Sequence, residues 1–383
     1  MFKRIYLSPP HMSGEEQQWL ADAIQSNWIA PIGPMVDGFE RDLGLIMNTP
    51  SVLAVHSGTS ALHLGLRLLD VGPGDEVICS SLTYVASANP IRYLGAEPIF
   101  IDSEPSSWNM SPQALERALY DAKRRNRMPK AVVVVNLYGQ SADMEPIKEL
   151  CNHYGVPILE DAAESFGATY KGKASGTWGK FGVYSFNGNK IVTTSGGGAL
   201  VAENEEALAK ARFWASQARD QGAHYEHSEL GYNYRLSNVL AAIGRGQLDV
   251  LEERIRARRK VFARYEIAFS HIEGISFMPE RDYGRATRWL TALTLDPQRF
   301  QVHPSEMVAK LEEWNIEARP VWKPLHLQPL YNGCRYFAHE EHVSVSEYLF
   351  THGICLPSGS SLTDTEQNRV IDAVESVLGC VVR

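Results

Sequence analysis

SFNGNKIVTTSGGGAL, residues 185–200, closes a β-prone run from Phe181 to Phe186 and then carries a single lysine, Lys190. Asn187, Gly188 and Asn189 precede that lysine, and two threonines, a serine and three glycines follow close behind it. Glycine lets backbone approach a ligand closely or adopt a positive φ, at an entropic cost. A lysine in such a loop can reach a pocket from one side, although the usual fate of a loop lysine is solvation. The residues at the ends of the neighbouring strands decide between these uses.

Short β-rich runs recur at Ser51 to His56, Asp75 to Ser80, Glu97 to Ile101, Ala131 to Asn136, Val156 to Glu160, Phe181 to Phe186 and Gly197 to Ala202. Helix-like stretches lie between several of them: Ser60 to Leu69, Pro112 to Arg124 and Met144 to Tyr154. Ser13-Gly14-Glu15-Glu16 has the capping-box pattern ahead of a helix ending near Ser26. Strand, helix, strand at this spacing predicts an α/β fold with a mostly parallel central sheet flanked by helices. Ala131 to Val135 is continuously apolar, as a strand buried on both faces should be. From Asn204, a plausible N-cap, to about Phe269 helical character dominates, and a less regular α+β region follows. The expected division is a large domain over residues 1–250, N-terminal segment included, and a smaller α+β C-terminal domain over 251–383.

Apolar residues make up 44% of the 383 and charged residues 21%, as in an ordinary globular chain. The net charge of −8 argues against a general nucleic-acid binder, which needs a basic footprint. The five cysteines, Cys79, Cys151, Cys334, Cys355 and Cys380, are odd in number and form no CxxC pair, so neither a disulfide framework nor a metal cluster is expected. MFKRIYLSPPHMSGEE lacks a long apolar leader core, and no apolar run approaches the ~18 residues of a membrane span. A cytoplasmic location is the expectation.

In an open α/β sheet, ligands bind beyond the carboxyl ends of the strands. After Val55-His56 come Ser57, Gly58, Thr59 and Ser60, opening a helix whose free N–H groups and positive dipole end suit a phosphate. Alone, that pattern is also an ordinary N-cap, the commoner use. After Ile158-Leu159 come Glu160, Asp161 and, two alanines on, Glu164; two adjacent acids at a buried strand end need partners or a cation. Asp161 could stabilise a protonated ring nitrogen or cap a helix. Tyr84 puts an aromatic ring at a third strand end, where core packing is the plainer use. Together with Lys190 these make the set that pyridoxal 5'-phosphate requires: an anion cradle, an acid, a stacking ring and a Schiff-base lysine.

With those residues in view, the chain resembles the sugar aminotransferases of the DegT/DnrJ/EryC1/StrS type, a branch of the fold-type I enzymes that use pyridoxal phosphate. The resemblance runs through SNWIAPIGPMVDGFE (26–40), HSGTSALHLGL (56–66), GDEVICSSLTYVASANPIRYLGAEPIFID (74–102), ILEDAAESFGA (158–168), YSFNGNKIVTTSGGGAL (184–200), GYNYRLSNVLAAIGRGQLD (231–249) and ARPVWKPLHLQPLY (318–331). It implies that Lys190 is the Schiff-base lysine and proton shuttle, Asp161 the pyridinium partner and Tyr84 the stacked aromatic. It further implies phosphate contacts from Gly58, Thr59, Ser60 and Ser185. Asn233 would reach the phosphate of the neighbouring subunit, giving a homodimer with shared active sites. Glu164 stands where the family often has glutamine or histidine, and would lie near the cofactor 3'-oxygen. Asn27, Trp28, Ile29 and Ala30 would lie near the sugar, and Arg235, Arg319 and His326 are candidates for its diphosphate; surface or structural use is the alternative for Arg319 and His326. No metal is implied.

Ser195-Gly196-Gly197-Gly198 departs from the Gly-Glu-Gly-Gly of many members. With Asn187-Gly188-Asn189-Lys190 it is similar to the enzymes that aminate UDP-4-keto-6-deoxy-N-acetylglucosamine at C4 in bacillosamine-type pathways. Glutamate is the implied donor, 2-oxoglutarate its product, and the kinetics ping-pong. Lysine at 190, where some relatives have histidine, argues against the family's dehydratases. C3 amination, a dTDP- or GDP-linked sugar, another pyridoxal phosphate reaction and a non-catalytic sugar-nucleotide sensor remain as alternatives. GKASGTWGKF (172–181) lacks P-loop spacing. His224 and His227 read as a surface pair, and ERIRARRK (253–260) as a solvated linking helix.

Overall fold

The computed structural model describes residues 3–379, and Cys380 lies outside them. Eight strands form the main sheet in the order Ser51–Val55, Gly198–Ala202, Phe181–Ser185, Ile158–Asp161, Ala131–Val135, Glu76–Ser80, Glu97–Ile101 and Tyr336–Phe337. All pairings are parallel except the two made by Gly198–Ala202, which runs against both neighbours. Strand Ser51–Val55 therefore points the same way as the rest, and Val55 and Ser185 both lie opposite Gly198. The carboxyl ends of seven strands thus lie along one edge, as an open α/β sheet requires for a ligand site.

The pleat sorts side chains onto two covered faces. Val77, Cys79, Val133, Leu159 and Val183 pack with Ala61, Leu62 and Leu66 of helix Gly58–Leu68 and Leu208 of helix Glu205–Ala215. Ile78, Val132, Val134 and Ile158 pack instead with helices Pro112–Arg124 and Met144–Tyr154. Burial on both faces explains why Ala131–Val135 has no polar residue. A second sheet, wholly antiparallel, orders Ile275–Phe277, Thr291–Leu295, Gly353–Leu356 and Arg319–Pro320 under helices Leu251–Phe269, Pro304–Glu313 and Asp364–Val377. The two lobes exchange segments. Ile5 bridges to Ile316 within the smaller lobe's core, and Tyr336–Phe337 returns to the edge of the main sheet.

Several local expectations change. The capping box at Ser13 is half formed: Glu16 accepts from the Ser13 and Gly14 N–H groups, but Ser13 Oγ accepts from Glu15 N and donates to Gly246 O. Asn204 does cap its helix, accepting from Ala207 N. Helix does not continue from there to Phe269, because residues 216–237 form an irregular excursion between helices Glu205–Ala215 and Asn238–Leu248. The basic run does lie on helix Leu251–Phe269, yet it is not simply solvated. Arg254 and Arg258 are buried, since the helix crosses the junction of the lobes. No helix of the described residues is long and apolar enough to cross a membrane.

Candidate active site

At the carboxyl edge of the main sheet lies a cavity of about 410 Å³. Gly58, Thr59, Tyr84, Asp161, Glu164, Ser185 and Lys190 all line it. The fold thus brings together most of the residues expected to hold a cofactor.

Each is placed by a simple local cause. Strand Phe181–Ser185 ends at the edge, and the chain folds back through Thr194 N to Phe186 O (2.9 Å). Lys190 sits at the tip of that loop, its N–H closing a turn on Asn187 O at 3.0 Å. The glycines serve close approach. A Cβ on Gly198 would lie 2.5 Å from Gly58 N and from Ser57 C, so only glycine lets this strand press against the start of helix Gly58–Leu68. The positive φ of the loop falls on Ser195 instead (71°), whose N–H is held by Thr193 Oγ1.

At the helix start Ser57 is the N-cap and accepts from Ser60 N at 3.1 Å. Ser60 does not line the cavity; its hydroxyl is bonded to Ser57 and His56, which do. The N–H groups of Gly58 and Thr59 are among those a helix leaves without intrahelical partners, and they suit a phosphate.

Asp161 and Glu160 leave their strand on opposite faces. Glu160 is fully buried and accepts from Asn136 Nδ2 and from the N–H groups of Gly176 and Trp178 at 2.6–2.8 Å. The phosphate-loop look of residues 172–181 is thus explained: its backbone amides embrace a carboxylate. Asp161 faces the cavity and accepts from Ser87 Oγ (2.7 Å) and Ala163 N (3.1 Å). Burial raises the Asp161 carboxyl above its usual range, against the pull of Ser87, Ala163 and Lys190. A cationic ring nitrogen facing it would restore its charge.

Lys190 Nζ lies 3.9 Å from the Trp289 ring centre and 3.8 Å from Glu164 Oε1, with its side chain only 13% exposed. Burial lowers the amine's pKa, opposed by Glu164 and Asp161. Glu164 Oε2 accepts from Tyr138 N at 2.9 Å, and burial raises its pKa. Tyr84 is 55% exposed at the cavity mouth, its ring 5.6 Å from that of Trp322.

The expected sugar-side residues lie elsewhere in this chain. Asn27, Trp28, Ile29 and Ala30 form an exposed turn pinned by Asn238, whose Nδ2 donates to Trp28 O and whose N–H donates to Ala30 O. Asn233 and Arg235 line a separate groove, with Arg235 part-buried against Glu40 at 3.6 Å. Arg319 lines a groove of about 700 Å³ that shares Asn189, Trp289 and Trp322 with the Lys190 cavity. His326 lines neither. It is bonded to Ser81 Oγ (2.7 Å) and Glu347 Oε1 (3.1 Å) and stacked on Tyr336. Sequence reading missed Trp289, Trp322 and Ser87. For the two tryptophans the signal is three-dimensional, since both come from the smaller lobe, whereas Ser87 follows strand Glu76–Ser80 by one short turn.

A sequence model of the DegT/DnrJ/EryC1/StrS aminotransferase family matches residues 10–375. EpsN of Bacillus subtilis (strain 168), named as a pyridoxal phosphate-dependent aminotransferase, is 59% identical over 98% of this chain and 96% of its own. The GDP-perosamine synthase of Caulobacter vibrioides (strain ATCC 19089 / CIP 103742 / CB 15) is 34% identical over 98% of both chains. The crystal structure of the aminotransferase TlmJ from Streptoalloteichus hindustanus superposes with a TM-score of 0.88 at 29% identity, covering 99% of this chain and 100% of its own.

Proposed function

The chain belongs to the DegT/DnrJ/EryC1/StrS aminotransferase family and is a pyridoxal phosphate-dependent sugar aminotransferase; from that premise we propose that it aminates C4 of UDP-4-keto-6-deoxy-N-acetylglucosamine, with glutamate as donor. The observation that carries this is spatial. The Lys190 cavity adjoins the larger groove that holds Arg319, and the two share Asn189, Trp289 and Trp322 as walls. A cavity for the cofactor and keto carbon, continued by a groove with cations and aromatic rings, suits a sugar on a nucleoside diphosphate.

In this reading Ser57, Gly58, Thr59 and Ser185 hold the cofactor phosphate, and Tyr84 lies on its ring. Asp161 keeps the ring nitrogen protonated. When bound, the cofactor supplies an electron sink and a carrier for the amino group. Lys190 Nζ anchors it and moves a proton between carbons, a task helped by burial that favours the neutral amine. Trp289, Trp322 and Tyr138, which stand close together, keep water from that amine. Arg319 binds the diphosphate. Asn233, exposed and lining a groove other than its own cavity, serves the cofactor phosphate of a second subunit in a homodimer. The sugar nucleotide and glutamate are cytoplasmic metabolites, which supports a cytoplasmic location. Residues 1–250 and 251–383 are proposed as the large and small domains, with the N-terminal segment crossing to the small one.

Incubation with glutamate and the UDP-linked 4-keto sugar tests this directly. The expected product is the 4-amino sugar, its position read by NMR, with one 2-oxoglutarate per amine. An amine formed only from a GDP- or dTDP-linked keto sugar would overturn the substrate assignment. The resemblance to a GDP-perosamine synthase makes the GDP sugar the first alternative to include.

A further inference from the structure

Arg258 is among the most deeply buried side chains of the protein, 1% exposed, and makes no ion pair within 4.0 Å among the described residues. A buried cation without a carboxylate is costly to a fold. Its partners are three oxygens from three segments: Trp289 O at 2.6 Å and Ser358 O at 3.1 Å on Nη1, and Ser8 Oγ at 3.1 Å on Nη2. Burial, then neighbouring Arg254, lower its pKa to about 9, so it remains charged at neutral pH.

Two of those partners converge again one step further on. The Ser8 hydroxyl donates to Asn189 O at 2.7 Å, and the Trp289 indole Nε1–H donates to the same oxygen at 2.8 Å. Asn189 directly precedes Lys190, and Lys190 Nζ rests 3.9 Å from the Trp289 ring centre. Because Ser8 Oγ accepts from the guanidinium, its one proton is directed to Asn189. Because Trp289 O is held, the backbone that carries the indole is fixed, and the Nε1–H bond to Asn189 sets the ring on it.

We propose that Arg258 is a positioning residue for Lys190: by holding Ser8 and Trp289 it fixes both the carbonyl that enters the lysine and the aromatic face on which the amine lies. This accounts for a buried guanidinium that nothing else in the site uses. It couples the N-terminal segment, the small lobe and the lysine loop, and it rests on the reading of Lys190 as the cofactor-bearing lysine.

Two measurements separate that premise from the proposal. Borohydride reduction of the wild-type holoenzyme with peptide mapping tells whether Lys190 carries the cofactor. In the apoprotein, competitive acylation followed by peptide mass spectrometry gives the pH profile of the Lys190 amine itself. The groups facing that amine are Glu164 and Asp161, which every variant retains. Arg258→Met, Ser8→Ala and Trp289→Phe each loosen the latch, and the last keeps an aromatic ring. Each is expected to move the acylation midpoint upward, by about one pH unit for Arg258→Met, which is about tenfold less neutral amine at pH 8. Arg258→Lys, which keeps the charge but cannot reach three acceptors, should fall between. An unmoved midpoint in folded Arg258→Met, with only lower thermal stability, would make the residue purely structural. A shift in Arg258→Met alone, absent from Ser8→Ala and Trp289→Phe, would also overturn the latch. If Arg258→Met does not fold, the other two variants decide.

Discussion

Replacing Gly198 with alanine places a new carbon 2.5 Å from Gly58 N and from Ser57 C. Both neighbours are backbone, so no rotamer change relieves the clash. The strand and the helix start must separate by about 0.9 Å to reach the 3.4 Å of an ordinary contact. Overpacking of this kind costs about 1–3 kcal/mol of stability. It also displaces the Gly58 N–H that is assigned to the cofactor phosphate. Losing one hydrogen bond to a charged group costs about 1.5–3 kcal/mol, or a roughly 10- to 150-fold weaker Kd. The assay is a titration of apoprotein with pyridoxal phosphate, followed by absorbance, beside urea unfolding of the same samples. Gly188→Ala is the control, because its new carbon meets nothing nearer than Ser195 O at 3.8 Å; its stability should change by no more than about 0.5 kcal/mol. Unchanged cofactor affinity in Gly198→Ala, whatever its stability, would refute the helix start as the phosphate cradle.

Asp161→Asn should keep the cofactor colour and lose activity by about 100-fold or more, the scale of a lost charge-stabilising contact, and Ser87→Ala should fall between in steady-state assays. Glu16 is buried, which works against its charge, but hydrogen bonds from Ser13, Gly14 and Gln247 hold its pKa at about 2 in the folded state. Its contribution, about 3 kcal/mol from the shift below 4.5, is present above pH 4.5 and is lost as pH falls toward 2. Glu16→Gln should therefore unfold more easily than wild type at pH 7, with the gap closing over that window; a gap independent of pH would contradict the assignment. Arg319→Ala should raise the KM for the sugar nucleotide by about tenfold or less, given its exposure, and leave the KM for glutamate unchanged. His326→Asn should lower thermal stability and spare both KM values, since that side chain bridges Ser81 and Glu347 outside the cavity.

Lys190, Asp161, Tyr84 and the start of helix Gly58–Leu68 were legible in the sequence because each follows a strand whose apolar run ends sharply, and strand ends of one sheet meet by topology. Strand Glu97–Ile101 and helices Pro112–Arg124 and Met144–Tyr154 match their expected bounds for the same reason: period and turn residues agree. What stayed hidden depends on tertiary packing. Trp289 and Trp322 reach the cavity only because the smaller lobe folds back over the sheet edge. Arg258 looks solvated in ERIRARRK, and only the junction of the lobes buries it. The glycine-rich stretch 172–181 serves Glu160, an acid on the opposite face of the strand from Asp161, and composition alone does not tell that carboxylate from a phosphate.

The most direct measurement is the visible absorbance of the purified holoenzyme through one cycle of half-reactions. The account predicts a yellow protein that bleaches with glutamate and regains its colour with UDP-4-keto-6-deoxy-N-acetylglucosamine, whereas Lys190→Ala shows neither change. A protein that bleaches but recovers only with a different nucleotide-linked keto sugar would contradict the proposed substrate. A Lys190→Ala protein that completes the cycle would contradict the central assignment of Lys190.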